Sequence, residues 1–408
     1  METTSRFSIH YLGLKMNELF SDRINNVAPS FIREILKVAS NSSMTSFAGG
    51  LPHRELFPIA ALREATNKVY EDQGADALQY SNTEGFEPLR EYIARRYWEK
   101  QGLPISMEDI LITSGAQQGL DLLGKVLIND GTEVIIEEPA YLGAIQALSL
   151  YRARLNTVPI STEGMVISKL VDVLGRCKPK LMYVVPNFQN PSGITYTKDN
   201  REAVATALRD SPTFLVEDDP YGELRFVGSR QPSFRHFLPD KTILLGSFSK
   251  TVVPAFRLGW IVPPRPLMGK LVIAKQVSDL HTSTFVQRVL CQYLYDNDLD
   301  THVKTIVEFY DRQCKTMLAA IGEYFPKEIS YTNPEGGMFL WVTLLKKQSS
   351  MALLEKAIEK NIAFVPGHPF YVNGGGDNTF RLNFSSAGED AIHGGIALLG
   401  KLIRELPA

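Results

Sequence analysis

A lysine, two serines and an arginine occur close together beyond the midpoint of the chain. Lys250 ends the sequence Ser247-Phe-Ser-Lys, which follows an apolar run that begins at Thr242, and Arg257 comes seven residues later. The apolar run predicts a strand whose end would bury and desolvate the amine. A desolvated lysine can form a Schiff base with an aldehyde, while hydroxyls and a guanidinium can hold a phosphate. The segment therefore predicts a site for an aldehyde cofactor that carries a phosphate.

The alternation of strand and helix patterns would bring other polar residues to this lysine. The apolar runs are 110–113, 133–137, 181–186, 213–217, 243–248 and 259–262, and helical patterns lie between them. This alternation predicts a mostly parallel sheet covered by helices on both faces. Ligands of such sheets bind where the strands end at their carboxyl termini. Polar segments follow five of the runs, beginning at Ser114, Glu138, Asn187, Asp218 and Ser247.

Four of these polar residues could hold a heteroaromatic ring. Asp218 could pair with a protonated pyridine nitrogen and so keep the ring an electron acceptor. Tyr221 and Asn190 could donate hydrogen bonds to a ring oxygen, and Tyr141 could stack on the ring. Each residue alone has an ordinary alternative: a turn or helix cap for Asp218, an Asx-turn for Asn190, a core side chain for Tyr141. Their combination with Lys250 favours the functional interpretation.

Two further positions could bind anionic groups. Residues 114–117, Ser-Gly-Ala-Gln, open a helical pattern, where backbone N–H groups and the helix dipole favour a phosphate. Arg381 lies in an apolar strand pattern and is suited to a bidentate contact with a substrate carboxylate. The alternatives are a capped helix that binds nothing, a surface ion pair for Arg257, and a solvent-facing edge-strand cation for Arg381. The apolar context of Arg257 favours a guanidinium that is buried against an anion.

The composition is that of an ordinary soluble globular protein, with 44% hydrophobic and 22% charged residues. A net charge of −2 without basic runs argues against nucleic acid or a membrane as the main partner. The histidines form no metal-binding motif, so no metal site is expected. Three widely spaced cysteines and a polar N-terminus predict a reduced, cytoplasmic protein.

The order of elements predicts an α/β fold with two domains. The large domain, residues 60–290, would contain the mostly parallel mixed sheet between helices. A long helical region at about 267–325 precedes strand patterns at 337–344 and 380–384 and helical patterns at 351–360 and 390–405. Together with the N-terminal segment and its helical pattern at 25–40, these predict a smaller α+β domain formed by residues 11–59 and 291–408.

The chain resembles the pyridoxal-5′-phosphate (PLP) enzymes of fold type I, within the class I/II aminotransferases. It is most similar to the branch that contains 2-aminoadipate and kynurenine aminotransferases and the aminotransferase-like domains of MocR regulators. The resemblance covers residues 30–386 and rests on an ordered set of motifs. These are Ile32-Arg33, Ala48-Gly-Gly-Leu-Pro, Gln79-Tyr-Ser-Asn-Thr-Glu-Gly, Ser114-Gly-Ala-Gln-Gln, Asn190-Pro-Ser-Gly, Asp218-Asp-Pro-Tyr, Ser247-Phe-Ser-Lys, Arg257 and Arg381.

The resemblance implies a role for each matched residue. Lys250 would be the Schiff-base lysine and, with Asp218 and Tyr221, would form the catalytic group. The other residues implied to bind the cofactor are Ser114, Gly115, Ala116, Gln117, Tyr141, Asn190, Ser247, Ser249 and Arg257. The residues implied to bind substrate are Arg381, Asn190, Gly50 and Arg33. Tyr80 would reach the phosphate of a neighbouring subunit, which implies a homodimer with shared active sites.

Two residues depart from the family pattern. Relatives often have serine where this chain has Ala116, so one phosphate hydroxyl would be missing. Ala255 stands where glycine is usual, two residues before the phosphate arginine. Neither departure removes a catalytic group.

The implied function is a ping-pong aminotransferase. An L-amino acid such as 2-aminoadipate or an aromatic or branched-chain amino acid would give its amino group to a 2-oxo acid such as 2-oxoglutarate. Lys250 would move the proton at the substrate Cα. The nearest alternative is a PLP-dependent lyase that acts at Cα or Cβ on the same fold.

Two other functions are disfavoured by the sequence. A Ser-x-x-Lys acyl transferase would also need Ser-Asp-Asn and Lys-Thr-Gly elements, which the chain lacks. A cofactor-binding sensor related to MocR regulators would need a DNA-binding domain, and the segment before the resemblance is too short for one.

Overall fold

The computed structural model describes residues 20–25, 27, 35 and 44–407. Arg33 and most of the helical pattern at 25–40 lie outside the described residues. The N-terminal region contributes a short helix at Asp22–Asn25 and the buried side chain of Ile35.

Helices and strands alternate through the middle of the chain, as the sequence predicts. The longer helices are α1 (Ile59–Gln73), α2 (Glu87–Gln101), α3 (Ala116–Leu127), α4 (Leu142–Leu150), α5 (Ile167–Arg176), α6 (Lys198–Leu208), α7 (Arg265–Asp279), α8 (Thr284–Asp296), α9 (Leu299–Tyr324), α10 (Ser350–Glu359) and α11 (Glu389–Arg404). The strands are β1 (Thr45–Ser46), β2 (Leu111–Thr113), β3 (Glu133–Glu138), β4 (Arg154–Ser161), β5 (Gly164–Met165), β6 (Leu181–Val184), β7 (Phe214–Asp218), β8 (Thr242–Ser247), β9 (Gly259–Val262), β10 (Ser330–Tyr331), β11 (Phe339–Thr343), β12 (Ile362–Ala363), β13 (Val365–Pro366) and β14 (Thr379–Asn383).

The larger sheet has the strand order β2-β9-β8-β7-β6-β3-β4-β5. Strands β8, β7, β6, β3 and β4 run parallel to one another, while β9 and β5 are antiparallel to their neighbours. Central strand β3 carries three fully buried residues in a row, Val134, Ile135 and Ile136, as a strand covered on both faces requires. The predicted mostly parallel mixed sheet is therefore confirmed.

A smaller antiparallel sheet has the order β10-β11-β14-β13. Arg381 lies in β14, opposite Trp341 of β11 and Val365 of β13, so it occupies an inner strand of this sheet. Strand β1 pairs in parallel with β12, and α9 packs against α11 beside these strands. The strand patterns at 337–344 and 380–384 correspond to β11 and β14.

The helical region expected at about 267–325 consists of three helices, α7, α8 and α9. Helix α7 ends at Asp279, and Leu280 directly after it adopts a positive φ of 67°. Ser283 and Asp298 cap the next two helices, because their side-chain oxygens accept hydrogen bonds from backbone N–H groups of the first turn. None of the helices in the described chain combines the length and apolar character needed to cross a bilayer.

Candidate active site

The carboxyl ends of β6, β7 and β8 open onto a cavity of about 280 Å³. Residues from both sheets line it, together with the start of α3 and the Gly50 segment. Twelve of the residues predicted for the site are among the lining residues: Gly50, Ala116, Gln117, Tyr141, Asn190, Asp218, Tyr221, Ser247, Ser249, Lys250, Arg257 and Arg381. The described residues contain no group of three His, Cys, Asp or Glu side chains placed to hold a metal ion.

Lys250 follows the end of β8 and extends its amine into the cavity. Its Nζ donates a hydrogen bond to the Gly50 carbonyl oxygen at 2.7 Å. Desolvation lowers the pKa of Lys250 to about 8, and the positive charges of Arg381 and Arg257 act in the same direction. An amine with this pKa is partly neutral near pH 7, so it can act as a nucleophile and as a base.

Asp218, the last residue of β7, is 4% exposed. Its Oδ2 accepts a hydrogen bond from the Tyr183 hydroxyl at 2.6 Å. Its Oδ1 is also buried and has no hydrogen-bond partner in the described chain. Desolvation raises the pKa of Asp218 to about 7, the Tyr183 hydrogen bond opposes this rise, and the Asp219 charge adds to it. A buried carboxylate with one free oxygen is best satisfied by a cationic N–H donor in the cavity.

Arg257 and the start of α3 form one end of the cavity. Gly115, with φ of 81°, precedes α3 directly, and its lack of a Cβ leaves room for the Arg257 guanidinium. Ser247 Oγ donates to Ser249 Oγ at 2.9 Å and accepts from Ser249 N at 3.0 Å. A guanidinium, two hydroxyls and a helix N-terminus are together groups that can hold a phosphate.

Arg381 lines the cavity from β14 of the smaller sheet. It is 2% exposed; its Nη1 donates to Asn190 Oδ1 at 2.7 Å and its Nη2 to the Ala48 carbonyl at 2.6 Å. The guanidinium carbon lies 4.3 Å from the Phe339 ring centroid and 5.4 Å from that of Phe370. Desolvation lowers the pKa of Arg381 to about 10. The interpretation as a solvent-facing edge cation is wrong, because β14 is an inner strand and the side chain is buried.

Tyr221 and Tyr141 also line the cavity. Burial raises the pKa of both phenols, that of Tyr141 to about 12, so both hydroxyls remain protonated and can donate hydrogen bonds. Gln117 Nε2 donates to the Gly143 carbonyl at 2.9 Å, and its Oε1 lies 3.5 Å from the Tyr141 hydroxyl. The Gln117 side chain therefore links the start of α3 to the start of α4.

Two predicted cofactor residues have side chains outside the cavity. The Ser114 hydroxyl lies 3.3 Å from Asp279 Oδ2 and 3.5 Å from Thr282 Oγ1, so only the Ser114 backbone, whose carbonyl lies 3.5 Å from Arg257 Nη2, faces the phosphate end. Tyr80 is 78% exposed and packs edge-on against His281 at 5.8 Å.

Five residues that line the cavity were absent from the prediction: Leu120, Tyr183, Val185, Pro220 and Phe339. Tyr183 and Phe339 line it, and the Phe339 ring also occupies the space where a side chain at Gly50 would lie. Tyr183 and Phe339 both stand within apolar strand patterns, where an aromatic residue is typical of the hydrophobic core. The signal that could have identified Tyr183 is its register, since it pairs with Val216 and so shares a sheet face with Asp218 two residues further on.

Solved structures with the same fold are aminotransferases. A kynurenine aminotransferase from Pyrococcus horikoshii, solved in complex with PMP, superposes with a TM-score of 0.91 at 40% identity, over 95% of this chain and 97% of that one. An α-aminoadipate aminotransferase from Thermus thermophilus, complexed with N-(5′-phosphopyridoxyl)-L-leucine, superposes with a TM-score of 0.89 at 38% identity, over 96% and 99% of the two chains. The fold and the site thus define a fold type I PLP enzyme.

Sequence comparison gives the family. The model of aminotransferase class I and II matches residues 47–392. An aromatic-amino-acid aminotransferase from Thermococcus litoralis is 40% identical over 398 residues, which is 96% of this chain and 95% of that protein. The chain belongs to the class I and II aminotransferases and is a PLP-dependent enzyme that transfers amino groups. The lyase alternative finds no support among these relatives.

The described residues fit PLP at three separate points. The unpaired Asp218 Oδ1 matches a protonated ring nitrogen, and Lys250 offers an amine with a lowered pKa to the aldehyde carbon. The hydroxyls of Ser247 and Ser249 with the Arg257 guanidinium match the phosphate. Ala116 occupies its predicted place at the start of α3, so the hydroxyl that serine would supply there is missing.

Proposed function

We propose that this aminotransferase accepts an L-amino acid with an aromatic or 2-aminoadipate-like side chain and passes its amino group to 2-oxoglutarate. The observation that supports the proposal is that Lys250 and Arg381 line the same cavity. A substrate whose α-carboxylate is bound by Arg381 would present its Cα to the Lys250 amine. The relatives described above are named for aromatic amino acids, kynurenine and α-aminoadipate. Their shared feature is an α-amino acid with an extended side chain.

Arg381 would bind the substrate α-carboxylate. It is already positioned by Asn190 and the Ala48 carbonyl, and its Nε has no partner in the described part of the chain. Phe339 and Phe370 flank the guanidinium and exclude water from it, which strengthens its pairing with an anion. Because the substrate supplies that anion, binding removes the cost of the buried positive charge.

PLP supplies the aldehyde carbon that receives the amino group and the ring that takes up the electrons of the Cα–H bond. Lys250 would remove the Cα proton and return a proton at the former aldehyde carbon. The Gly50 carbonyl orients its amine. Asp218 would hold the proton on the ring nitrogen, and Tyr221 and Asn190 would donate hydrogen bonds to the ring oxygen.

The phosphate end would fix the position of the ring. Arg257, Ser247, Ser249 and the backbone N–H groups that begin α3 would bind the phosphate, and Tyr141 would pack against the ring face. A fixed ring keeps the reacting carbons within reach of Lys250 during both half-reactions.

The test is a half-reaction with single amino acids. Holoenzyme is mixed with one L-amino acid and no oxo acid, and the absorbance of the bound cofactor is followed. We expect phenylalanine, tyrosine, kynurenine or 2-aminoadipate to convert the aldehyde form into the amine form, and 2-oxoglutarate to restore it. Release of ammonia with multiple turnovers and no oxo acid would instead indicate lyase chemistry.

We also propose that two copies form a homodimer with shared active sites. Ile273 and Val277 of α7 and Leu280 directly after it are 55%, 81% and 47% exposed, and Tyr80 is also exposed, beside His281. An exposed apolar surface of this kind favours association. Sedimentation should give a dimer, and Val277→Glu should shift it toward monomer and weaken PLP binding; a wild-type monomer with full activity would contradict the proposal.

We also propose that the chain divides into two domains, residues 60–290 and residues 11–59 with 291–408, and that the protein is cytoplasmic. The larger sheet falls within residues 60–290 and the sheet with Arg381 within 291–408, although residue 290 lies inside α8, so the boundary would fall at one end of that helix. Hydrogen exchange would support the division if the amides of the two sheets exchange with different opening free energies, and would contradict it if both sheets open together.

The three free cysteines suit a reducing, cytoplasmic location, which cell fractionation would test.

A further inference from the structure

Tyr183 lies beside the buried carboxylate that faces the cofactor. It is fully buried in β6, and its ring reaches diagonally across to the end of β7. Its hydroxyl donates to Asp218 Oδ2 at 2.6 Å, which is the length expected of a hydrogen bond to an ionised oxygen. Within the described residues this is the one hydrogen bond to the side-chain oxygens of Asp218, and Oδ1 lies buried without a partner.

The two carboxylate oxygens of Asp218 are therefore unequal. Oδ2 is held by a hydroxyl whose donor strand is fixed by pairing with both β3 and β7. Because a planar carboxylate with one oxygen fixed cannot rotate freely, the direction of Oδ1 is fixed as well. Oδ1 is the oxygen left for the cofactor ring nitrogen.

Tyr183 can serve only as a donor in this pair. Burial and the Asp218 charge raise the pKa of the Tyr183 phenol well above its usual value, so the proton stays on the hydroxyl. Its hydrogen bond opposes the effect of desolvation, which raises the pKa of Asp218. The charge of Asp219 raises the pKa of Asp218, and the charge of Asp218 in turn raises the pKa of buried Glu137. The hydroxyl is thus the group that stabilises the ionised form of Asp218.

We propose that Tyr183 is a positioning residue for the cofactor: its hydroxyl orients Asp218 and keeps it ionised, so that Oδ1 can pair with the protonated ring nitrogen. The inference rests on PLP binding in this cavity and goes beyond the roles assigned above, since Tyr183 would act through Asp218 and not on the substrate.

The test is the substitution Tyr183→Phe, which removes one hydroxyl and keeps the ring in place. The dissociation constant of the apoenzyme for PLP is measured by titration, and the absorbance of the bound cofactor is recorded against pH. We expect PLP to bind about 10- to 100-fold more weakly, as for loss of a hydrogen bond to a charged group. We also expect the pH at which the cofactor spectrum changes to shift, which a purely structural defect would not cause.

The chain offers a matched control in Tyr151→Phe. The Tyr151 hydroxyl donates to Asp121 Oδ1 at the same distance, 2.6 Å, but neither residue lines the cavity. Tyr151→Phe should lower stability slightly and leave PLP affinity and the spectral titration unchanged. An equal loss of affinity in both variants would overturn the proposal.

A double substitution isolates the route through Asp218. With Asp218→Asn already in place, Tyr183→Phe should change PLP affinity by less than about threefold, because no carboxylate remains to be oriented. The same loss in both backgrounds, or no loss in either, would overturn the assignment. Binding of PLP by the wild type and its amino-acid half-reaction test the function separately, so the two claims fail independently.

The stability of the apoproteins gives a second readout if Tyr183→Phe folds poorly. Unfolding is compared at pH 5, where Asp218 is protonated, and at pH 8, where it is ionised. The variant should be destabilised more at pH 8 than at pH 5, and Asp218→Asn should remove that difference. Equal destabilisation at both pH values would contradict the proposed role.

Discussion

Replacing Lys250 by alanine is expected to abolish transamination while the protein remains folded. The substitution removes the amine that would accept the Cα proton, and loss of such a group slows a reaction by about 10²- to 10⁴-fold or more when it also acts as nucleophile. PLP should still bind, because Asp218, Arg257 and the serines are unchanged. The measurement is single-turnover conversion of the bound cofactor by an amino acid.

The control for this prediction is an exposed lysine. Lys178 is exposed between α5 and β6, and its side chain makes no ion pair or hydrogen bond within the described residues. Lys178→Ala should transaminate as the wild type does. A rapid half-reaction in Lys250→Ala would show that another group moves the Cα proton, and would contradict the assignment of this role to Lys250.

Replacing Asp218 by asparagine is expected to lower activity strongly and to stabilise the apoprotein at alkaline pH. The amide cannot hold a proton on the ring nitrogen, so kcat should fall by about 10²-fold or more, in line with loss of a buried charge partner. The measurements are steady-state kinetics with a good amino-acid substrate and thermal unfolding of the apoprotein against pH.

The sign of the pH effect follows from the raised pKa of Asp218. The pKa of about 7 in the folded protein exceeds the ordinary aspartate pKa of 3.8, so the native apoprotein binds more protons than the unfolded chain between these two pH values. Stability due to this group therefore falls as pH rises from about 4 to 7 and stays low above. The unfolding free energy of Asp218→Asn should lack this part of the decline. It should therefore exceed that of the wild type at pH 8 and equal it near pH 4.

Other buried acids provide the background for that comparison. Burial also raises the pKa of Glu137 to about 8 and that of Glu217 to about 7. Both remain in the variant, so the difference between wild type and Asp218→Asn reports Asp218 together with the effect of its charge on the pKa of Glu137. If the difference in stability between the wild-type and Asp218→Asn apoproteins does not change with pH, the account is contradicted.

The strands that carry the site could be predicted because they are buried on both faces. Continuous apolar runs such as Val134 to Ile136 leave little doubt about a covered parallel strand, and the polar residues that follow such runs must meet at one sheet edge. Lys250, Asp218 and Asn190 could be placed in this way. Strand β4 escaped prediction because it is partly exposed, with Arg154 outside and Val158 buried, so its sequence is not a continuous apolar run.

The contacts that complete the site depend on register and on loop direction. Tyr183 reaches Asp218 only because β6 and β7 pair in one particular register, and Phe339 reaches Gly50 from a different sheet. The Ser114 hydroxyl turns toward Asp279 because α7 ends beside the start of α3. The spacing of these residues along the sequence does not predict which of their side chains come into contact.

The most direct test of the account is to locate the covalent attachment of PLP. Holoenzyme is reduced with borohydride, digested, and analysed by mass spectrometry for a phosphopyridoxyl group. The account predicts a yellow protein whose single modified residue is Lys250. A colourless protein that takes up no PLP, or a label on any other lysine, would contradict it.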